Sequence, residues 1–358
     1  MVAIHQGTAS SVANPRIVFI TVMTEMLEEA TVPPGFLVDP AALEYRILDP
    51  SGTQVVAPTA VDLEDHRLRL GTFAPPITIG AMSSIGTWTI EWTWDLEIGD
   101  ETYTYVQVTH FTVVDSDIPL VDGYAQVADA RAEGAPVSFS DARIAQILTE
   151  SSRTVEHFTR RFFDARYHVY DYDVRSRGVL IRTRQPIVAI EDILVNFSDF
   201  NSIHSLDAED FRIYNRHMRG MLQPDDRDAP KVEVQREAGR WDFGSRMVAS
   251  QQNATIKGWW GYTDPDGGPF GVTPPSIERV TMMLAFRNIR PLWRKFSNVE
   301  GPTTGAVQTQ RTRDQSITYA TVAGSGLTNV LSRAPMTGDP EIDIILMRFR
   351  APPVIEAA

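Results

Sequence analysis

The chain has 358 residues and a mass of 40.0 kDa, more than one hydrophobic core normally serves, since cores stop growing near about 250 residues. Its 43% hydrophobic, 22% charged and 9% aromatic content is that of a globular protein and excludes a disordered or collagen-like chain. The absence of cysteine excludes disulfides, thiolate metal centres and a catalytic thiol. The net charge of −13 is concentrated: residues 1 to 120 hold 4 Arg and no Lys against 16 Asp plus Glu, while the rest hold 29 basic and 30 acidic side chains. Two charge habits read as two modules, and the acidic one should repel nucleic acid.

From Arg16 to Val114 short β-branched and aromatic runs are punctuated by Pro33-Pro34-Gly35, Asp49-Pro50-Ser51-Gly52 and Pro75-Pro76, the pattern of strands joined by turns. Trp88, Ile90, Trp92 and Trp94 alternate with Thr87, Thr89, Glu91 and Thr93, a period of two that places the large rings on one sheet face. Leu43 to Leu48, Arg67 to Leu70 and Thr102 to Val114 supply further strands. About seven strands in such a length suggest a sandwich of two sheets, similar in a generic way to immunoglobulin-like or fibronectin-like modules.

Asp115 to Pro119 reads as a linker. Beyond it Ile144, Ile147, Leu148, Ser151, Val155, Phe158 and Phe162 recur at helical spacing and predict a helix from about Ser140 to Phe163, with Ser138 as its cap. Tyr167 to Val174 and Val179 to Thr183 flank Arg175-Ser176-Arg177-Gly178 as a predicted hairpin. Strands follow at Ile190 to Asn196, Phe211 to Tyr214, Lys231 to Gln235 and Ala254 to Trp259, the middle ones inside a polar stretch from Ser198 to Gln252 that predicts long loops. Pro274-Pro275-Ser276 opens a second helix carrying Ile277, Val280, Leu284 and Ile289, which Pro291 is expected to end. The tail holds an extended piece at Ser316 to Thr321 and a short helix from Pro340 to Phe349.

No Walker loop, Rossmann glycine fingerprint, histidine-glutamate zinc helix, GxSxG elbow or kinase signature occurs. Gly324-Ser325-Gly326 has no following lysine and reads as flexible tail. The seven histidines never stand at ligand spacing with a carboxylate, and His157 reads as a surface residue. Asp225-Asp226-Arg227-Asp228 and Asp264-Pro265-Asp266-Gly267-Gly268 contain calcium-type oxygens but lack the EF-hand spacing, so solvated turns are the favoured reading. No apolar run reaches the 18 residues of a membrane helix, so the chain is expected neither to span a membrane nor to be secreted. The basic residues are more informative. Arg287, Arg290, Arg294, Lys295, Arg311 and Arg313 face only Glu300 over residues 287 to 313, and Arg160-Arg161 close the first helix. Thirty arginines against three lysines favour geometry-specific pairing over diffuse attraction.

The C-terminal two-thirds, about 230 residues, resembles the head-to-tail connector or adaptor proteins of tailed bacteriophages. The pieces occur in that family's order: Tyr124-Ala-x-Val127-Ala-Asp129 with Gly134; a helix ending Thr159-Arg160-Arg161-Phe162; a hairpin leading to Gln185-Pro186-Ile187; Asp210-Phe211-x-Ile213-Tyr214; Ala254 to Gly258-Trp-Trp-Gly261-Tyr262; Thr273-Pro274-Pro275-x-Ile277; and Thr337-Gly338-Asp339-Pro340-Glu341-Ile342-Asp343 with Phe349-Arg350 beyond. Each is weak alone, and their colinearity carries the resemblance. What it implies is an α+β multidomain structural protein without an active site or cofactor: an N-terminal β-sandwich (1–118), a small helical adaptor domain with an inserted β-hairpin and long loop (119–315), and an extended C-terminal tail (316–358).

The resemblance further implies a homo-oligomeric ring, usually of twelve copies, beneath the portal protein of the virion neck, continuing the channel for double-stranded DNA that passes without sequence recognition, and assembled in the host cytoplasm. Ile317, Tyr319, Ile342, Ile345, Leu346 and Phe349 would dock on portal. Arg160, Arg161, Arg287, Arg290 and Arg294 would contact neighbouring subunits or line the channel, and the loops between Ser198 and Gln252 would face the downstream tail or neck protein or line the channel. The acidic sandwich lies outside the minimal adaptor and would reach a fibre or the capsid. A tail helix ordered only by its partner would also be dispensable: deleting residues from Pro335 onward should spare the soluble fold. Two alternatives from other classes stand beside this: a carbohydrate-binding or adhesion protein using Trp88, Trp92, Trp94 and Trp259-Trp260, and a hydrolase assembled from distant carboxylates and histidines such as His157, His168 and His217.

Overall fold

The computed structural model describes residues 2–21, 35–173, 180–197, 202–206, 210–214, 226–234, 254–265, 270–297, 309–311, 316–318, 337 and 339–351. The first module contains β1 (Val2–His5), β2 (Ala9–Ser10), β3 (Phe19–Ile20), β4 (Ala42–Leu48), β5 (Gln54–Ala60), β6 (Arg67–Arg69), β7 (Thr72–Phe73), β8 (Ile77–Thr78), β9 (Gly86–Ile98) and β10 (Glu101–Val114). Five of these form one sheet in the order β1-β10-β9-β4-β5, antiparallel except where β1 runs parallel to β10. The alternation in β9 is realised as expected: Trp88, Trp92 and Trp94 are 3%, 0% and 3% exposed. Phe19 sits 4.9 Å from the Trp92 ring and 6.4 Å from Trp94, and Phe73 and Ile77 complete the core.

Among the described residues the second layer of this module is divided. Two short sheets, β2-β8 and β3-β7-β6, supply it, because the prolines and glycines between residues 71 and 86 interrupt pairing every few residues.

The second module contains α1 (Val127–Ala132), α2 (Asp141–Thr159), β11 (Arg166–Tyr172), β12 (Leu180–Arg182), β13 (Ile187–Phe197), β14 (Ser202–Ser205), β15 (Phe211–Tyr214), β16 (Lys231–Val234), β17 (Ala254–Trp260), α3 (Pro275–Ser297), β18 (Thr309–Arg311), β19 (Ser316–Thr318) and α4 (Pro340–Arg348). The predicted hairpin does not form. β11 pairs with β17 in a four-stranded sheet, β11-β17-β13-β14, whereas β12 pairs with β16 in a three-stranded one, β12-β16-β15. The two sheets share a core of Ile181, Ile193, Phe211, Val232, Ile256 and Trp260, so this module is sheet-rich and not chiefly helical. A buried strand rewards whichever partner completes its face, and chain proximity does not decide it. Gly258 lies where β13 crosses closest to β17: a Cβ there would stand 2.2 Å from the Ala189 carbonyl oxygen.

Helix α2 begins one turn fraction later than Ser138 predicts. Ser140 is the cap, its hydroxyl accepting from the Arg143 N–H, and the helix ends at Thr159 because Arg160 turns left-handed, with φ of 56°. Helix α3 runs through Pro291 to Ser297; a proline removes one bond of the ladder without forcing a stop. The short α1, capped by reciprocal bonds between Gln126 and Asp129, has no apolar stripe long enough to announce it. The tail's extended piece is the second strand of a hairpin, β18 with β19.

The modules meet through the segment after residue 34. The Leu37 N–H donates to the Ile190 carbonyl at 3.0 Å and the Ile190 N–H to the Gly35 carbonyl at 2.8 Å, while Ile20, Leu37 and Ala189 close over one another. The Arg69 guanidinium lies 3.5 Å from the centre of the Tyr167 ring.

Candidate functional site

Five of the segments that carry the colinear motifs converge on one place, while Ile187, Phe211 and Ile213 pack in the sheet core. Tyr124, Val155, Phe163, Tyr262, Ile277, Val280, Leu284, Ile342, Leu346 and Phe349 form a single buried cluster. Phe163, Tyr262 and Phe349 meet edge to face at 5.4 to 6.0 Å, the geometry that ring quadrupoles favour. Polar groups stitch the same centre. The Tyr124 hydroxyl donates to Glu156 Oε1 at 2.8 Å and accepts from the Phe163 N–H at 3.0 Å, and Arg166 Nη2 donates to Glu156 Oε1 at 2.5 Å. Burial, then the carboxylates of Asp164 and Glu156, push the Tyr124 hydroxyl well above the ordinary tyrosine range, so it stays a neutral donor.

This arrangement relocates part of the proposed docking set. Ile342, Leu346 and Phe349 are buried in their own chain and Ile345 is half-buried, so α4 belongs to the helical layer with α2 and α3. Spacings of three, four and seven describe a stripe seeking any apolar face, and the nearest is its own. The helix is fixed locally too: the Asp339 carboxylate accepts from the Glu341 N–H, and Asp343 Oδ1 accepts from the N–H and hydroxyl of Thr337. Ile317 stands in β19 opposite Gln310; its side chain and Tyr319 lie outside the described residues, as does Gly324-Ser325-Gly326. The same burial argues against the expectation that a deletion from Pro335 spares the fold.

Of the arginines, Arg161 is 2% exposed. Its Nη2 donates to the Asp228 carbonyl at 2.9 Å and its guanidinium faces the Tyr262 ring at 5.0 Å, so it is a packing residue and not a subunit or channel contact. Arg160 is exposed and its carbonyl accepts from Gln185 Nε2. Arg287 is exposed and donates to the Thr337 carbonyl at 2.6 Å. The side chains of Arg290 and Arg294 lie outside the described residues.

The remaining sequence candidates resolve into structure. Arg227 Nη1 reaches the Thr263 carbonyl and Asp264 Oδ1, and Tyr262 donates to Asp228, so these acids hold a turn together; Asp225 and Asp266 lie outside the described residues. Among the described residues no group of three or more His, Asp or Glu is placed to hold a metal ion, and no helix is long and apolar enough to cross a membrane. Trp88, Trp92, Trp94 and Trp260 are core, and Trp259 packs edge-on against Tyr167 and Phe270; none of them offers a free ring for a sugar.

Two outward faces were not legible in the sequence. On the three-stranded sheet Ile181, Val232 and Ile213 point inward, so one outward row reads Arg182, Lys231, Tyr214 and the next Leu180, Glu233, Arg212. The Lys231 ammonium stands 4.4 Å from the Tyr214 ring, whose hydroxyl donates to Glu233. On the five-stranded sheet the face opposite the tryptophans carries Glu44, Glu91, Asp95 and Glu97 among threonines, with Arg46 bonded to Glu91. Alternation marks each strand's outer residues, but only the pairing of β12 with β16, about fifty residues apart, assembles the cations into one surface.

No protein-family model matches the chain, and no curated protein matches it. Among solved structures it is similar to a chain from the neck of an empty GTA particle computed with C6 symmetry, at 12% identity and a TM-score of 0.32, over 64% of this chain and 91% of that one.

Proposed function

We propose that the chain is a structural subunit of a virion neck, which joins copies of itself into a ring between head and tail and performs no chemistry. The observation that carries this reading is the fate of the motif residues. Tyr124, Arg161, Tyr262, Ile277, Ile342 and Phe349 come from five separate stretches of sequence, and all stand in or against one solid core. Residues with a catalytic task face a cleft where substrate can reach them; residues that fix the shape of a building block are buried and mutually bonded, as these are.

In this reading the partners are further copies of the chain, about twelve by resemblance, then portal on one side and a tail or neck protein on the other. DNA passes through without being read, which suits a second module whose charges nearly cancel, 29 basic against 30 acidic side chains, since few net phosphate contacts keep binding weak. With Ile342, Leu346 and Phe349 committed inward, portal docking falls to the outer face of α4, where Ile344 is 58% exposed, and to the segment around Ile317. The first module would lie at the rim of the ring, where its remaining surfaces could reach a fibre or the capsid.

The test is assembly of particles with the chain omitted and then supplied. Omission should leave filled heads and free tails that join when purified protein is added, and microscopy should show a ring at the joint. Particles that join normally without the chain would overturn the reading.

A further inference from the structure

We infer that the cationic outer face of the β12-β16-β15 sheet is a docking surface for the acidic outer face of β4-β9-β10 on a neighbouring copy of the same chain. This rests on the ring reading above and names the surfaces that close it.

Three observations carry it. First, Arg182 and Lys231 are direct cross-strand partners, and Arg212 stands one strand and one row away. Like charges placed opposite each other weaken a sheet, and an anionic surface laid across them turns that repulsion into attraction. Among the described residues of the face Glu233, opposite Arg212 and bonded to the Tyr214 hydroxyl, is the one carboxylate, which leaves two cations in excess. Secondly, the opposite charge is present in the same chain and arranged on the same kind of grid. Glu44, Asp95 and Glu97 lie on adjacent strands of an outward sheet face, and any two sheet faces share a spacing of about 4.8 Å across strands, so rows of cations can meet rows of acids. Thirdly, the two faces do not satisfy each other within one copy, because Arg182, Arg212, Glu44 and Glu97 are all exposed. An interface between two different patches is heterologous, and such interfaces repeat head to tail, forming a ring where the rotation between copies closes.

Duplex DNA is the other polyanion this face could meet. Three cations with one neighbouring carboxylate are little against a phosphate charge about every 1.7 Å, and the remainder of the chain repels it.

The test uses the full chain in two charge-reversed forms, Arg182→Glu with Arg212→Glu, and Glu44→Lys with Glu97→Lys. All four positions are exposed, and matching circular dichroism and melting temperature confirm that each form folds. Mass photometry in low salt should show the unaltered chain assembling, and added salt weakening the assembly. Each reversed form alone should associate at least roughly a hundredfold more weakly, because like charges then face across the contact. Mixed one to one they should assemble again, since each acidic face now finds a basic one on the other form. Reversed forms that assemble like the unaltered chain, or a mixture that stays dispersed while the unaltered chain assembles, would overturn the inference and leave the ring reading standing. A chain that never assembles, even with portal present, overturns both. Normal assembly of the Arg182→Glu, Arg212→Glu form with lost retardation of a DNA duplex would assign the face to nucleic acid instead.

Discussion

In the first module the principal hairpin is made by neighbours in sequence. Strands β9 and β10 turn back on each other through Gly99, whose φ is 63°, and stay in register for thirteen residue pairs from Glu101↔Ile98 to Val113↔Gly86. In the second module the pairings span the chain. β11 lies against β17 about ninety residues on, β12 against β16, and α4 returns to pack on a helix, α2, that began some two hundred residues earlier. The first design is one local hairpin, filled by one stripe of tryptophans, to which β4 and the distant β1 add as flanking strands. The second gathers distant segments into two cores, one under the two sheets and one among α2, α3 and α4.

The most severe way to break that comparison is to stop the chain after Asp339. Losing Ile342, Leu346 and Phe349 from the core, at about 2 to 5 kcal/mol for each large-to-small change, exceeds most of a domain's stability of about 5 to 15 kcal/mol. Calorimetry should then show the cooperative transition of the second module abolished and that of the first retained. Trp92→Ala inverts the experiment. It empties the space beside Phe19 and Tyr45 and should cost about 3 to 5 kcal/mol in the first module, leaving the second transition in place.

Gly258→Ala sharpens the contrast by a single methyl. It forces a carbon toward the Ala189 carbonyl and should lower second-module stability by about 3 kcal/mol through strand displacement, read from a urea midpoint. Tyr124→Phe leaves the Phe163 N–H without its acceptor and should cost about 1 to 2 kcal/mol. Its pH dependence has a definite sign. The folded hydroxyl holds its proton above the ordinary value of 10.0, while the unfolded one releases it, so stability is full below that value and declines as pH rises past it. The phenylalanine form should lose that component of the decline. Smallest is Ser140→Ala, about 1 kcal/mol for a lost cap, seen as fraying of the first turn of α2 in hydrogen exchange.

Elements were more legible in the sequence than partners. Alternation at Trp88 to Trp94 and the stripe from Ile144 to Val155 located β9 and α2 because each signal is local. The hairpin expected around residues 175 to 178 failed because Tyr167 to Val174 and Val179 to Thr183 are both good strands, and nothing in them says that their partners are β17 and β16. The docking role expected of α4 comes from the resemblance by position, and its apolar stripe does not say which face it covers. The same limit hid the cationic face: Arg182, Lys231 and Arg212 are separated in sequence by some fifty and twenty residues and become neighbours only through long-range register.

The measurement that bears most directly on the chain as a ring subunit is native mass spectrometry of the full-length protein at graded ionic strength. The account predicts one closed species with a mass a fixed multiple of 40.0 kDa, about twelvefold by resemblance, dissolving into single chains as salt rises. A protomer that remains alone at every salt and concentration would contradict it.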